Sequence, residues 1–186
     1  MLELNDVLLE GESRTLSMMA FEGQLTCLMG GTAAQRSRWL LGMLGFVPVL
    51  GGYISIDGEP LTPSSAVDFR RLMAYAPRRL RAEGQIRHFE PPTVQDVFAL
   101  KENSDIMVTN GALNREIKMV GDVDEEQARW LAVAVLRGKP ILLVEEPQVG
   151  AVGYLQMQAQ KGRIVIVTSQ EEAYRQAADK VVEINS

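Results

Sequence analysis

The sequence predicts an α/β protein: a mostly parallel sheet covered by helices on both faces, with an antiparallel β unit at its N-terminal end. Three observations carry this expectation. Short, fully apolar runs, Ile141-Leu-Leu-Val and Ile164-Val-Ile-Val, alternate with helical patterns. An apolar stretch from Gln24 to Met29 passes through Gly30-Gly31 into a helix. The residues before Phe21 instead alternate polar and apolar, as half-exposed strands do.

In chain order, Leu2 to Glu10 and Arg14 to Phe21 read as two antiparallel strands with Glu10-Gly11-Glu12-Ser13 as the turn, and Glu22-Gly23 ends the pair. Gln24 to Met29 reads as a buried strand. After Gln35 a helix is expected, because Trp39, Leu40, Met43, Leu44 and Val47 recur on one face. Tyr53-Ile-Ser-Ile-Asp-Gly-Glu-Pro-Leu reads as a hairpin turning at Asp57-Gly58, since a type I′ turn needs positive φ. Leu72 to Ala76 reads as another buried strand ended by Pro77, Arg78 to Pro92 as a loop, and Thr93 to Lys101 as a short helix capped by Thr93. Residues 103–121 are weakly patterned.

From Asp124 a capped helix is expected. Gln127 sits three positions on, Glu125 and Glu126 lie in the positive first turn, and Gly138 ends it before Pro140. Ile141 to Val144 is a strand stopping at Glu145-Glu146-Pro147, and Ile164 to Val167 is its twin, stopping at Thr168-Ser169. A helix over Glu171 to Lys180 and a strand over Val181 to Ile184 follow. There are no repeats, low-complexity tracts or linkers, so residues 1–186 read as a single domain.

Composition narrows the function classes. Hydrophobic residues make up 46% and charged residues 23%, which excludes wholesale disorder. The longest apolar run, Trp130 to Leu136, is seven residues, far short of the ~20 that span a bilayer. The N-terminal residues carry no secretory pattern, and the lone Cys27 suits a reducing compartment. A net charge of −5 argues against nucleic acid as the partner.

A strand, a Gly-rich turn and a helix form the layout of a phosphate-binding loop, in which N–H groups at a helix N-terminus face the anion. The full pattern is Gly, four residues, Gly, Lys, Ser/Thr. Here Gly30 is followed by four residues and then Gln35, Arg36 and Ser37. An apolar strand ending in Glu145-Glu146 then supplies carboxylates where such proteins hold Mg²⁺ and position water. Taken singly, the first feature also fits an ordinary glycine turn, and the second a solvated strand end.

Together these pieces, in unbroken order from Met1 to about Asn185, resemble the nucleotide-binding domain of ATP-binding-cassette (ABC) transporters. Met1 to Val7 looks like the opening strand, Gly30 to Ser37 like Walker A, and Gly52 to Gly58 like the following hairpin. Met73 to Arg78 looks like the strand into the Q-loop, and Gly121 to Glu125 sits where the signature belongs. Ile141 to Pro147 looks like Walker B, and Ile164 to Ala173 like the switch segment.

The resemblance implies an ABC ATPase-like, P-loop NTPase fold with a reduced helical subdomain over about residues 93–138. It implies ATP and Mg²⁺ as cofactors. Gly30, Gly31, Thr32, Ala33, Ala34, Gln35, Arg36, Ser37 and Arg38 would form the nucleotide loop, Ser37 and Glu145 would hold the metal, and Glu146 would be the general base. It also implies a dimer, homo- or hetero-, a transmembrane permease or second cassette as partner, and a place in the cytoplasm or at its membrane through that permease.

Against the family pattern, several positions differ. No aromatic precedes Phe21 to stack on adenine. Ala33 and Gln35 replace small or Gly residues of the loop, the Gln35 side chain would crowd the approach of phosphate, and Arg36 is a planar fork where a compact ammonium is usual. Arg78 stands at the Q-loop Gln, Val152 near the D-loop Asp, and Ser169 at the switch His; the lone His88 reads as surface. Val123 and Asp124 replace the signature glycines within Asp122-Val-Asp-Glu-Glu. Each such carboxylate ~4 Å from a phosphate charge repels it by about 1 kcal/mol in water and about 4 at an effective dielectric of 20. The helix dipole returns only ~0.3–1 kcal/mol. Repulsion wins, so the expectation is a cassette-like subunit with impaired or absent ATP hydrolysis. The alternative is a working ATPase paired with an intact cassette; a small kinase is disfavoured by the ending from Glu171 to Ile184.

Overall fold

A side chain alternates faces along a strand, so a strand that is apolar at nearly every position must be covered on both sides. The computed structural model, which describes residues 1–78 and 109–184, places four such strands at the centre of the molecule. The elements are β1 (Leu2–Leu9), β2 (Leu16–Ala20), β3 (Leu25–Gly30), α1 (Ala33–Met43), β4 (Val49–Ile56), β5 (Glu59–Pro60), α2 (Ala66–Leu72) and β6 (Met73–Ala76). From residue 109 onward come α3 (Asn110–Ile117), α4 (Glu125–Leu136), β7 (Ile141–Glu145), α5 (Val152–Gln160), β8 (Ile164–Thr168), α6 (Glu172–Ala177) and β9 (Lys180–Ile184).

One sheet is parallel, in the order β6-β7-β8-β3-β9. The other is antiparallel, in the order β2-β1-β4-β5. The alternation rule can be read off β6, β7 and β8. Met73, Tyr75, Ile141, Leu143, Ile164 and Ile166 join a core shared with α1 and the antiparallel sheet. Their neighbours Ala74, Ala76, Leu142, Val144, Val165 and Val167 join a second core with α4 and α5. Burial of a Leu, Ile or Val contributes ~1.5–3 kcal/mol, so these two cores dominate stability and hold the C-terminal ends of β3 and β7 at one edge of the sheet, with β8 between them.

The expected strands, the Asp57-Gly58 turn (φ +50° and +86°) and the Asp124 cap are all present. Several details differ from expectation. Helix α1 begins at Ala33, before Gln35, because Thr32 caps it, and it ends before Val47. Helix α6 is shorter than Glu171 to Lys180, since Ala178 is extended and Lys180 already pairs with Thr26. Three helices have no counterpart in the sequence reading: α3 (Asn110–Ile117), which buries no residue and lies in the weakly patterned stretch 103–121, α2 and α5. Helix α2 is seven residues long and buries only Ala66 and Phe69, too little to show a period. Helix α5 buries Tyr154, Leu155, Gln158 and Ala159; the polar Gln158, held by Arg163 at 3.0 Å, breaks the apolar stripe. The expected loop from Arg78 to Pro92 (beyond Arg78), its His88, and the helix from Thr93 to Lys101 lie outside the described residues. So does the part of the proposed helical subdomain before Thr109.

Candidate functional site

The loop after β3 is shaped by close backbone approach. Gly30 has φ +80°, and a Cβ there would sit 2.5 Å from the carbonyl oxygen of Ile184 on β9, so a side chain is excluded. Gly31 follows with φ +56°. The chain then enters α1 through a complete capping box. The Thr32 hydroxyl accepts from the Gln35 N–H at 3.2 Å, and the Gln35 side-chain oxygen accepts from the Thr32 N–H at 2.9 Å. Gln35 therefore folds over the loop and takes up one of its N–H donors.

Arg36 is buried and turned back into the chain. Its Nε donates to Glu146 Oε1, and its Nη1 donates to the carbonyls of Gly30 at 2.9 Å and Gly31 at 3.1 Å. Glu146 itself adopts φ +44°, uncommon for a residue with a Cβ. Its N–H donates to Thr168 Oγ1 at 3.0 Å, which holds that conformation. Beside this pair, the Ser37 hydroxyl donates to Glu145 Oε1 and contacts the Ala33 carbonyl at 3.0 Å. The other Glu145 oxygen accepts from the Tyr75 hydroxyl at 2.9 Å and from the Arg78 N–H at 3.3 Å.

A second carboxylate reaches the loop from the β1–β2 turn. Glu12 Oε2 accepts from Gln35 Nε2 at 3.2 Å, and Glu12 Oε1 accepts from Arg38 Nη1 at 3.0 Å. Arg38 also donates to the Gly11 carbonyl at 2.8 Å, so it faces that turn. On the opposite side Gln170 Nε2 donates to the Gly31 carbonyl at 3.2 Å. Ser169, where the resemblance puts the switch residue, is buried and accepts from the Glu171 N–H at 3.0 Å.

The acidic segment serves as a helix cap. Asp124 Oδ1 accepts from the Gln127 N–H at 2.8 Å. The capping box expected there is only half formed, because Gln127 Oε1 instead accepts from the Gln148 N–H at 2.7 Å. Gln148 completes the knot: its Oε1 accepts from the Asp124 N–H at 2.9 Å and its Nε2 donates to Asp124 Oδ2. Asp122 forms an isolated antiparallel bridge with Gly150. The segment around Asp122 and Asp124 is thus tied to the turn after β7. Glu125 pairs with Arg129 at 2.9 Å on the exposed face of α4.

The structure therefore joins Gly30, Gly31, Thr32, Gln35, Arg36 and Ser37 to Glu145 and Glu146. Ala33 contributes a carbonyl, Ala34 is exposed, and Arg38 serves the neighbouring turn. Sequence reasoning missed Glu12, Tyr75, Gln148 and Gln170. Only their place in the tertiary fold brings them to the loop or to Asp124; spacing alone carries no sign of them. Ser37 and Glu145 present adjacent oxygens of the kind a divalent cation takes. A triphosphate cradle does not fit the remaining side chains as they stand, because Arg36 is neutralised by Glu146 and Gln35 caps the loop. Among the described residues, no group of three or more His, Cys, Asp and Glu is placed to hold a metal ion, and no helix is long and apolar enough to cross a membrane.

No family model matches the chain. Over 86 residues it is 31% identical to the arabinose import ATP-binding protein AraG of Pectobacterium atrosepticum, covering 46% of this chain and 17% of that protein. It is 24% identical over 141 residues to an uncharacterized ABC transporter ATP-binding protein of Haemophilus influenzae, covering 68% of this chain and 53% of the other. The cholesterol transporter ABCA5 of Homo sapiens matches at 25% over 153 residues, 74% of this chain and 9% of that protein. The chain thus spans about half or less of the length of these relatives. Among solved structures, the ATP-binding subunit of an ABC transporter superposes with a TM-score of 0.70 at 17% identity, over 99% of this chain and 85% of the other. CbiO1 from Clostridium perfringens, part of the cbiONQ complex, gives 0.68 at 14%, over 98% and 83%. MJ0796, a bacterial ABC transporter cassette solved as a dimer, gives 0.62 at 14%, over 99% and 94%. The chain has the α/β fold of an ABC transporter ATP-binding cassette, and it resembles ABC ATP-binding proteins in sequence.

Proposed function

We propose that this chain is a nucleotide-binding-subunit-like component of an ABC transport system that does not turn over ATP on its own. The observation that carries the reading is the Arg36–Glu146 pair. A general base must be free to accept a proton from water. Glu146 is instead held by Arg36, the cation of the loop that would otherwise meet the phosphates. The acidic run Asp122-Val-Asp-Glu-Glu would repel a nucleotide, and Ser169 offers no cation at any pH. The partners of such a subunit are a transmembrane permease or a second cassette chain. It would sit as a dimer, homo- or hetero-, on the cytoplasmic side of a membrane.

A second reading is a working ATPase subunit paired with an intact cassette. It is favoured by Ser37 and Glu145, which remain adjacent as a Mg²⁺ site needs. Thermal unfolding with and without Mg-ATP separates the two. A ligand at 100 times its Kd adds about 2.7 kcal/mol, an upward shift of roughly 5–10 °C for a chain of this size. The expected result is no shift at millimolar Mg-ATP and no phosphate release. A clear shift, with release abolished by Glu146→Gln, would establish the second reading instead.

A further inference from the structure

The loop after β3 is surrounded by the chain's own carboxylates. Glu146 arrives from the end of β7 and holds Arg36; its side chain is 12% exposed and that of Arg36 is 5% exposed. Glu12 arrives from the β1–β2 turn and holds both Gln35 and Arg38; its side chain is 4% exposed. The two acids are far apart in sequence and come from different sheets, yet they converge on consecutive residues of α1. A carboxylate buried this deeply is tolerated only where it is paired and hydrogen-bonded, and both are.

We propose that Glu12 and Glu146 are built-in occupants of the loop, two internal carboxylates that take the place of an external phosphate and keep the site shut. The proposal rests on the reading above that the chain does not turn over ATP on its own, and it names what keeps nucleotide out of the loop. The charge balance supports it. Arg36 and Arg38 stand against Glu12, Glu145 and Glu146, so the site as built carries a net negative charge and repels an anion. Converting Glu12 and Glu146 to glutamine keeps their size and leaves two cations against one anion. Arg36 is then buried without a counter-charge beside a helix N-terminus, an arrangement that attracts phosphate.

The test compares the whole chain with its Glu12→Gln/Glu146→Gln variant, using inorganic pyrophosphate and Mg-ATP as probes, with titration calorimetry and thermal unfolding as readouts. The variant is expected to melt below the parent without ligand. It should gain about 5–10 °C when a probe reaches 100 times its Kd, while the parent shows no shift. A variant that keeps its far-UV spectrum but, like the parent, binds neither probe would overturn the proposal while leaving the proposed function standing. A parent that already binds Mg-ATP as tightly as the variant would overturn both. Should the double variant not fold, Glu146→Gln alone, read in the same way, decides the matter.

Discussion

Replacing Arg36 by alanine is the most direct probe of how the site is held. Its guanidinium spreads over one carboxylate and two carbonyl oxygens, all within the loop and the end of β7. With side-chain exposures of 5% and 12%, the pair is shielded from water, so the small values typical of surface pairs do not apply. Removing one partner of a buried pair costs about 3–5 kcal/mol, chiefly because the other charge is left uncompensated. For a chain of this length each kcal/mol lowers Tm by roughly 2–4 °C, so Arg36→Ala should melt about 6–20 °C below the parent. Urea unfolding followed by the fluorescence of Trp39 and Trp130 gives the same quantity independently. Adding Glu146→Ala should restore part of the loss, because it removes the stranded charge. The coupling in this double-mutant cycle should fall within about 0.5–3 kcal/mol. A loss below about 0.5 kcal/mol for Arg36→Ala, or strictly additive single effects, would refute the picture of a buried internal lock.

Two further predictions follow from the rest of the structure. Asp124→Ala removes the cap of α4 and its bond from Gln148, and should cost about 1–2 kcal/mol in urea unfolding, while Asp124→Asn should stay near the parent; equal losses would show that the cap is not formed. Cys27 is buried in β3, and burial pushes its thiol up to about 12, so the folded state holds the proton that the unfolded chain releases near pH 9. This thiol's contribution to stability is therefore complete below about pH 9 and is lost between pH 9 and 12. Denaturation midpoints measured across that range should fall more steeply for the parent than for Cys27→Ala, and parallel profiles would contradict the assignment.

Much of the architecture was legible because hydrophobic pattern is a local signal. Continuous apolar runs at 141–144 and 164–167 can be buried on both faces only in a covered parallel sheet, and the two cores on either side of β7 and β8 are that arrangement. Asp57-Gly58 and Asp124 announced a turn and a cap because positive φ and side-chain capping belong to particular residue types. Short elements such as α2, and α5 with its buried Gln158, escaped because their faces are too brief or too polar to show a period. The glycine turn at Gly30-Gly31 and the strand end at Glu145 were legible too, since strand ends and glycine turns can be read locally.

The linear order could therefore establish an α/β scaffold, its strand ends and the residue types placed there, because propensity and periodicity act over a few neighbours. It could not establish what those residues do to one another. The Thr32–Gln35 capping box is local, but whether Gln35 also meets Glu12, and whether Arg36 faces outward or closes on Glu146, depends on groups 23 and 110 positions away. Contacts over such separations exist only after the sheets have packed, so folding alone decided that this loop is held by Glu12 and Glu146.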